Sequence, residues 1–375
     1  MKEKKKRVLV VGAGISGATI ARKLAENDYE VDVYEKEIDI GGACADEYKH
    51  GTYKQYHGSH IFHTDNKVVW DFLNRFTKWQ PYHHKVKAFI DGELIPVPFN
   101  LNSLDKLPVL DIKIKQRIKQ EIHDKSIFNY QCTFEDLEEL SETFTYLGDI
   151  IYNLLFKVYS EKQWGTIPDK SVLSRVKALR LNKDDRYFTD TYQGIPSEGF
   201  SKLIETILSH DNIKVYEKAF VLEDSLDYDT VFYTGSLDEL LNYGYGPLPY
   251  RTCEFTYKIV EHSHHQENSV INYTRDYAFT RTHDYSWYLP SDSSVLATEY
   301  PMAFDRFNPK HVRYYPIKSN DNLKIYNKYV HHLKEHFSNI IPAGRLGLYQ
   351  YLDMDKAIYS SMKIVNDFIE NDKNF

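Results

Sequence analysis

The sequence predicts an α/β fold: a Rossmann-like βαβ nucleotide-binding domain, discontinuous along the chain, with an inserted helical bundle and an antiparallel β-sheet. Three observations carry that prediction. Arg7-Val8-Leu9-Val10-Val11 is an apolar, β-branched run, followed at once by Gly12-Ala13-Gly14-Ile15-Ser16-Gly17. A helix-like stretch over residues 18–27 leads into a second apolar run, Glu30-Val31-Asp32-Val33-Tyr34. Glu35 closes that run 18 residues after Gly17. A G-x-G-x-x-G string alone is a weak signal, but between a strand and a helix, with an acid at this distance, it is a strong one.

Each part of this unit has a physical reason. Gly12 permits the tight turn, Gly14 lets the backbone approach a pyrophosphate, and Gly17 lets helix and strand pack closely. The helix start around Ile15 and Ser16 offers unpaired N–H groups to phosphate oxygens. Glu35 is expected to accept hydrogen bonds from a ribose diol, with Lys36 beside it at the same site. NAD and FAD both use such a unit. The trailing Gly41-Gly42, followed by Ala43, favours FAD, because flavoproteins of the glutathione-reductase type resemble this spacing.

Further along, residues 83–100 read as a hairpin turning at Asp91-Gly92. Residues 103–165 read as helical and free of strands. Ile114, Ile118 and Ile122 recur every four residues, Thr133 is an N-cap for the helix opened by Phe134-Glu135-Asp136, and residues 149–159 form a third, apolar helix. Strand patterns return at Ile213-Lys214-Val215-Tyr216 and at Thr230-Val231-Phe232-Tyr233, the latter running into Thr234-Gly235. Short aromatic runs at residues 253–260, 269–273, 286–289 and 295–300 predict a largely antiparallel sheet. Residues 339–345 read as a loop before a helix over 353–370 that returns the chain to the nucleotide domain. The expected domains are therefore 1–82, 194–243 and 330–375 for FAD, 101–168 for a helical substrate and lid domain, and 83–100, 169–193 and 244–329 for the antiparallel sheet substrate domain.

Composition narrows the function classes. The net charge of −7 argues against a nucleic-acid binder. No apolar stretch reaches the roughly 18 residues that a membrane span needs. The basic run from Lys2 reads as a solvated tail, and no signal peptide is expected ahead of the first strand. Cys44, Cys132 and Cys253 are widely spaced, which gives neither a disulfide framework nor a metal site and fits a reducing cytoplasm. The 31 tyrosines suit a site that stacks planar rings and holds sugar hydroxyls.

Four longer strings go beyond the nucleotide unit. They are Tyr56-His57-Gly58-Ser59-His60-Ile61-Phe62-His63-Thr64, Tyr159-Ser160-Glu161-Lys162-Gln163-Trp164-Gly165, Tyr187-Phe188-Thr189-Asp190-Thr191-Tyr192-Gln193-Gly194-Ile195-Pro196, and Gly344-Arg345-Leu346-Gly347-Leu348-Tyr349-Gln350-Tyr351-Leu352-Asp353-Met354. Together they resemble the bacterial UDP-galactopyranose mutases, nearly end to end, over residues 7–370. The resemblance implies a flavoenzyme that interconverts the pyranose and furanose forms of a nucleotide-diphosphate hexose with no net redox change. It implies FAD, active when reduced, whose N5 attacks the anomeric carbon as the diphosphate leaves. It also implies an external reductant such as NAD(P)H or a flavin reductase, is compatible with a homodimer, and points to cell-surface polysaccharide synthesis.

Residue roles follow from the same resemblance. Arg281 and Arg175 match the phosphate-binding arginines, with Arg180 competing for the second place. Tyr159 matches a tyrosine that stacks on uracil, and Trp164 a tryptophan near the sugar on a mobile lid. Tyr187, Tyr315 and Tyr351 match tyrosines that hydrogen-bond the diphosphate, and Asn272 an asparagine beside them. His60 matches a histidine whose loop lies against the flavin and responds to its redox state, while His63 is taken as structural. Arg345 matches an arginine near the flavin, and Asp353 and Met354 the turn over its pyrophosphate and ribityl end.

The chain also departs from the pattern. Ala43 stands where Gly-Gly-Asn is usual, His84 where an asparagine lies near the substrate, and Ser160 where threonine is usual. The segment around Arg175 is re-spaced. These changes cluster on the nucleotide and sugar side, so the expected chemistry is retained while UDP-N-acetylgalactose or dTDP-fucose competes with UDP-galactose as substrate. An FAD-dependent, amine-oxidase-like oxidoreductase is the rival from another class, and a non-catalytic nucleotide-sugar binder is a second.

Overall fold

The computed structural model describes residues 6–166, 177–275 and 277–373. Arg7–Val11 lies at the centre of a five-stranded parallel sheet. Glu30–Glu35 and then Ile213–Glu217 follow on one side, Thr230–Tyr233 and then Ile340–Pro342 on the other. Val8, Leu9 and Val10 are fully buried, because both faces of this sheet are covered. Ile15–Ala25, Phe200–Leu208 and Met354–Lys373 share one core with Val8, Val10 and Val33. Leu9 and Val231 point into a second core with Tyr329 and Leu333 from Asn320–His336. The strands beside Arg7–Val11 diverge to opposite sides, which opens a crevice at its carboxyl end. Gly12 sits there.

A seven-stranded sheet runs in the order Tyr315–Pro316, Tyr250–Val260, Ser294–Ala303, Arg281–Asp284, Val270–Tyr273, Val86–Ile90, Glu93–Val97. The hairpin turns where expected: Asp91 and Gly92 have φ of 50° and 91°, the paired left-handed conformation of a two-residue turn. The sheet is largely antiparallel, as expected, with one parallel pairing, Val270–Tyr273 with Val86–Ile90. Two expectations need correction. Residues 286–289 are not a strand. The Asp284 side chain accepts from the Ser286 N–H and starts a 3₁₀ turn, Tyr285–Trp287, whose aromatics are drawn into the core. Residues 339–345 are not all loop, because Ile340–Pro342 forms the edge strand.

The helical block has its own core around Leu104, Ile118, Phe144 and Leu147. Thr133 caps Phe134–Leu140 reciprocally with Asp136. Two corrections apply here as well. A short strand, Gln131–Thr133, pairs antiparallel with Lys177–Arg180. Residues 149–159 are not one regular α-helix, because Glu142–Ile151 passes into a π-helical segment, Tyr152–Lys157, before Val158–Trp164. A small third sheet places Tyr192–Pro196 between Phe62–Thr64 and Trp79–Pro81. Among the described residues, no helix is long and apolar enough to cross a membrane, and no cluster of side chains could hold a metal ion.

Candidate active site

A single cavity of about 1610 Å³ runs from the glycine turn to Arg281. Sites for one small ligand usually measure roughly 300–1,000 Å³, so this one has room for a dinucleotide and a second ligand together. At one end, Gly12 has φ of 102°, and a Cβ there would lie 2.2 Å from Thr234 Oγ1. A Cβ on Gly17 would lie 1.9 Å from the Gly12 carbonyl oxygen, so helix and turn meet without a side chain between them. A Cβ on Gly14 would meet only Gly41 O and Gly42 Cα, both at 3.8 Å. It would therefore project into the cradle itself. Glu35 is buried and accepts from the Ala13 N–H at 2.7 Å and the Glu37 N–H at 3.1 Å, which fixes the turn and leaves the carboxylate on the cavity wall. Ser16, Lys36, Gly42 and Ala43 line the same end. The open face at Gly14, the helix start and the acid together fit a dinucleotide.

At the other end, Asn272, Arg281 and Glu299 are neighbours in register on three adjacent strands. Arg281 Nε donates to Tyr159 Oη at 2.6 Å, and its Nη1 is 3.7 Å from Glu299 Oε2. The same carboxylate lies 3.1 Å from His283 Nε2. Burial alone would raise the Glu299 carboxyl, but the Arg281 guanidinium and the His283 hydrogen bond outweigh it and bring it down to about 2. Burial likewise opposes the charge on Arg281, and Glu299 with the surrounding tyrosines more than restores it. Asn272 Oδ1 and His84 Nδ1 are buried without a protein partner, and both residues line the cavity. Such atoms are normally satisfied, and these two are closed off from the cavity by the other atoms of their own site.

Tyr187, Tyr315 and Tyr351 stand on the same wall, and the last two stack with ring centres 5.6 Å apart. Trp164 does not line the cavity. It is 41% exposed and its ring lies 5.7 Å from that of Tyr315, at the end of Val158–Trp164. Gly165, with φ of 76°, stops that helix. Arg251 donates to the Gln163 carbonyl at 2.7 Å and the Lys162 carbonyl at 2.8 Å, a cation on the negative end of the helix. Lys162 Nζ is held by the carbonyls of Tyr273 at 2.6 Å, Phe279 at 2.9 Å, Arg275 at 3.1 Å and Tyr277 at 3.3 Å.

Arg175 lies outside the described residues. Its competitor Arg180 is buried and off the cavity wall, and it donates to the carbonyls of Arg186 at 2.5 Å and Tyr187 at 3.0 Å. Its fork is spent on shaping the loop that presents Tyr187. Arg180→Ala removes two hydrogen bonds from a charged donor to partly buried carbonyls, at about 1.5 kcal/mol each, the low end for such bonds. It is expected to lower the melting temperature and raise KM more than it lowers kcat. A kcat loss at unchanged KM would instead put Arg180 in contact with the reacting groups.

Between the two ends stand His60, Arg345, Asp353 and Met354, all on the cavity wall. The His60 backbone N–H donates to Gln55 Oε1 at 2.7 Å, its carbonyl accepts from Gln55 Nε2 at 2.9 Å, and its Nδ1 faces the Gly58 carbonyl at 3.1 Å. Arg345 lies near the Tyr315 ring, Asp353 pairs with Lys356 at 2.7 Å, and Met354 opens the last helix. His63 stacks on Phe188 and bonds Asp190 at 3.1 Å. Burial lowers His57 to about 4, and His60 and His84 to about 3, from an ordinary value of 6.5. The unfolded chain therefore binds these protons more readily than the folded one. Stability is whole above pH 6.5 and is lost progressively as the pH falls toward the lowered values. The melting temperature should drop across that interval, and His84→Asn should flatten the slope. An unchanged slope in the variant would show that His84 does not stay neutral.

Sequence reasoning missed Glu299, His283 and Ser59. The available signal for Glu299 was an acid alone in the apolar run 295–300. Its two partners, Arg281 and His283, both lie on the neighbouring strand Arg281–Asp284 and leave no local mark.

The family model described as UDP-galactopyranose mutase matches residues 154–351, and a model for an NAD(P)-binding Rossmann-like domain matches residues 10–76. A probable UDP-galactopyranose mutase from Klebsiella pneumoniae is 36% identical, over 98% of this chain and 96% of its own length. The chain belongs to the UDP-galactopyranose mutase family. Other relatives are a dTDP-fucopyranose mutase from Escherichia coli, 34% identical over 98% of this chain and 99% of that protein, and a UDP-galactopyranose mutase from Mycoplasma pneumoniae, 32% identical over 94% of each. A crystal structure of reduced UDP-galactopyranose mutase shares the fold, with a TM-score of 0.71 at 16% identity over 98% of this chain and 96% of that one. Membership of the UDP-galactopyranose mutase family makes the chain an isomerase of the mutase type and disfavours the oxidoreductase alternative.

Proposed function

We propose that this chain interconverts the pyranose and furanose forms of a UDP-galactose-type nucleotide sugar, with FAD along the glycine turn and the sugar nucleotide between it and Arg281. One observation carries the reading: the half-buried, charged Arg281 guanidinium lines the same cavity as a dinucleotide cradle, together with Glu35, His84 and Asn272. In this reading Gly12, Gly14, Ser16, Gly17, Glu35, Lys36, Gly42 and Ala43 hold the dinucleotide moiety, and His60, Arg345, Asp353 and Met354 hold the flavin side. When bound and reduced, FAD supplies an electron-rich nitrogen that can bond transiently to the anomeric carbon.

The chain's own residues do the rest. Arg281, with Arg175, neutralises the negative charge that grows on the departing diphosphate. The hydroxyls of Tyr187, Tyr315 and Tyr351 orient its oxygens, Tyr159 stacks on the base, and Trp164, outside the cavity in this structure, reaches the sugar when Val158–Trp164 moves inward. His84 and Asn272 offer hydrogen bonds to sugar hydroxyls, and a ligand that lacks one of them leaves a buried group unpaired. An external reductant, NAD(P)H or a flavin reductase, keeps the cofactor reduced, and a cytoplasmic homodimer with separate cofactor, helical and sheet domains belongs to the same reading. The E. coli relative named for dTDP-fucopyranose supports a second substrate, since it matches nearly as well as the mutase named for UDP-galactopyranose.

The test is anaerobic. Enzyme reduced with dithionite is offered UDP-galactose, UDP-N-acetylgalactose and dTDP-fucose in competition, with no electron acceptor. Sustained furanose formation from one of them is expected, and the preferred sugar settles the substrate. Conversion that stops after one equivalent of enzyme, or none with any sugar, overturns the reading.

A further inference from the structure

Ser59, His283 and Tyr288 have no role in the reading above, yet they join its two ends. Tyr288 Oη donates to Ser59 Oγ at 2.7 Å, Ser59 Oγ lies 2.7 Å from His283 Nδ1, and His283 Nε2 lies 3.1 Å from Glu299 Oε2. His283 is completely buried and Glu299 nearly so. The direction of every proton follows from chemistry. An ionised carboxylate only accepts, so His283 Nε2–H donates to Glu299. A neutral imidazole then has a bare Nδ1, so the Ser59 hydroxyl donates to it, and Tyr288 donates to Ser59 in turn. The chain of donors runs one way and ends on the carboxylate beside Arg281.

The loop is also tied to that carboxylate by shape. Gly58 has φ of 86°, and a Cβ on it would lie 3.3 Å from the Phe255 ring and 3.7 Å from Glu299 Oε2. Gly58 thus packs against Glu299, and its neighbours Ser59 and His60 line the cavity that Arg281 also lines.

We propose that His283 and Ser59 are positioning residues that couple the diphosphate subsite at Arg281 to the turn at residues 58–60 beside the cofactor. A diphosphate on Arg281 competes with Glu299 for the guanidinium. Glu299 then leans harder on His283, His283 draws on Ser59, and the backbone of the turn follows. The cofactor thereby senses an occupied nucleotide subsite through three side chains rather than through the sugar. This inference rests on the proposed function for the positions of cofactor and diphosphate.

The experiment measures the affinity of flavin-loaded protein for UDP, which has no sugar, with the flavin oxidised and then reduced. Coupling makes the two affinities differ by at least about fivefold in the native chain. Ser59→Ala and His283→Asn should each bring the ratio to within about twofold of unity, as expected when a coupling element is cut. Both should keep their flavin content and lose the UDP-induced change in its visible spectrum. His283→Gln, which can keep the donor to Glu299 but not the acceptor for Ser59, should lose the coupling as well. Ser59→Ala removes a single oxygen and serves as the test if a His283 variant does not fold. A native ratio of unity, or a native ratio retained in Ser59→Ala, overturns the inference and leaves the mutase reading standing. Failure of UDP to bind in either redox state overturns both.

Discussion

Arg281→Ala should lower turnover of the reduced enzyme by about two to three orders of magnitude, the usual cost (~2.7–4 kcal/mol) of deleting one preorganised donor to developing negative charge. The flavin content should not change, because Arg281 stands at the far end of the cavity from the glycine turn. Two further consequences separate this effect from general damage. The variant leaves Glu299 buried without its strongest counter-charge, so its carboxyl should rise from about 2 and take up a proton more easily. Arg281→Lys should keep the charge and yet recover only part of the rate, since an ammonium lacks the planar fork that faces two oxygens at once. Steady-state rates of dithionite-reduced protein, read beside the visible flavin absorbance, check both. A near-normal rate in Arg281→Ala would place the diphosphate elsewhere.

Gly14→Val should give a folded chain without flavin. The room for the new side chain is the room a pyrophosphate needs, because protein atoms come no closer than 3.8 Å to a Cβ there. The melting temperature of the variant should therefore match that of the native protein stripped of its cofactor. Gly17→Val makes the contrast. Its Cβ would sit 1.9 Å from the Gly12 carbonyl oxygen, so helix and first strand must separate and the chain itself should lose stability. Flavin-to-protein absorbance ratios and thermal melts of the two variants distinguish a lost ligand from a damaged fold. Full flavin occupancy in Gly14→Val would refute the placement of the dinucleotide.

The parts of the fold that were legible in the sequence are those whose causes are local. A turn that tolerates no Cβ at Gly12 and Gly17 must show glycine, and a strand buried on both faces must show the run from Val8 to Val11. Asp91-Gly92 announced its hairpin for the same reason. The errors share a different origin. Ile340–Pro342 is a short edge strand with a proline, too brief to display a period. The aromatics after Asp284 suit a strand by composition, but one side-chain oxygen of Asp284 turns the backbone aside. Beyond these errors, nothing near either segment announces the one parallel pairing within the largely antiparallel sheet, Val270–Tyr273 with Val86–Ile90. In the site, Tyr159 stood out within a long string and Arg281 only by its position in the resemblance, and the structure brings them to 2.6 Å. Glu299 did not, because its meaning lies in cross-strand register with Arg281.

The four carbonyls around the Lys162 ammonium have a mechanical consequence. They belong to residues 273–279, the connection whose two ends carry Asn272 and Arg281. The tryptophan-bearing helix cannot swing outward while that ammonium stays seated, and unseating it forfeits several polar links in one event. Any outward movement of Val158–Trp164 would therefore pull on both strands flanking that connection, the ones that carry Asn272 and Arg281.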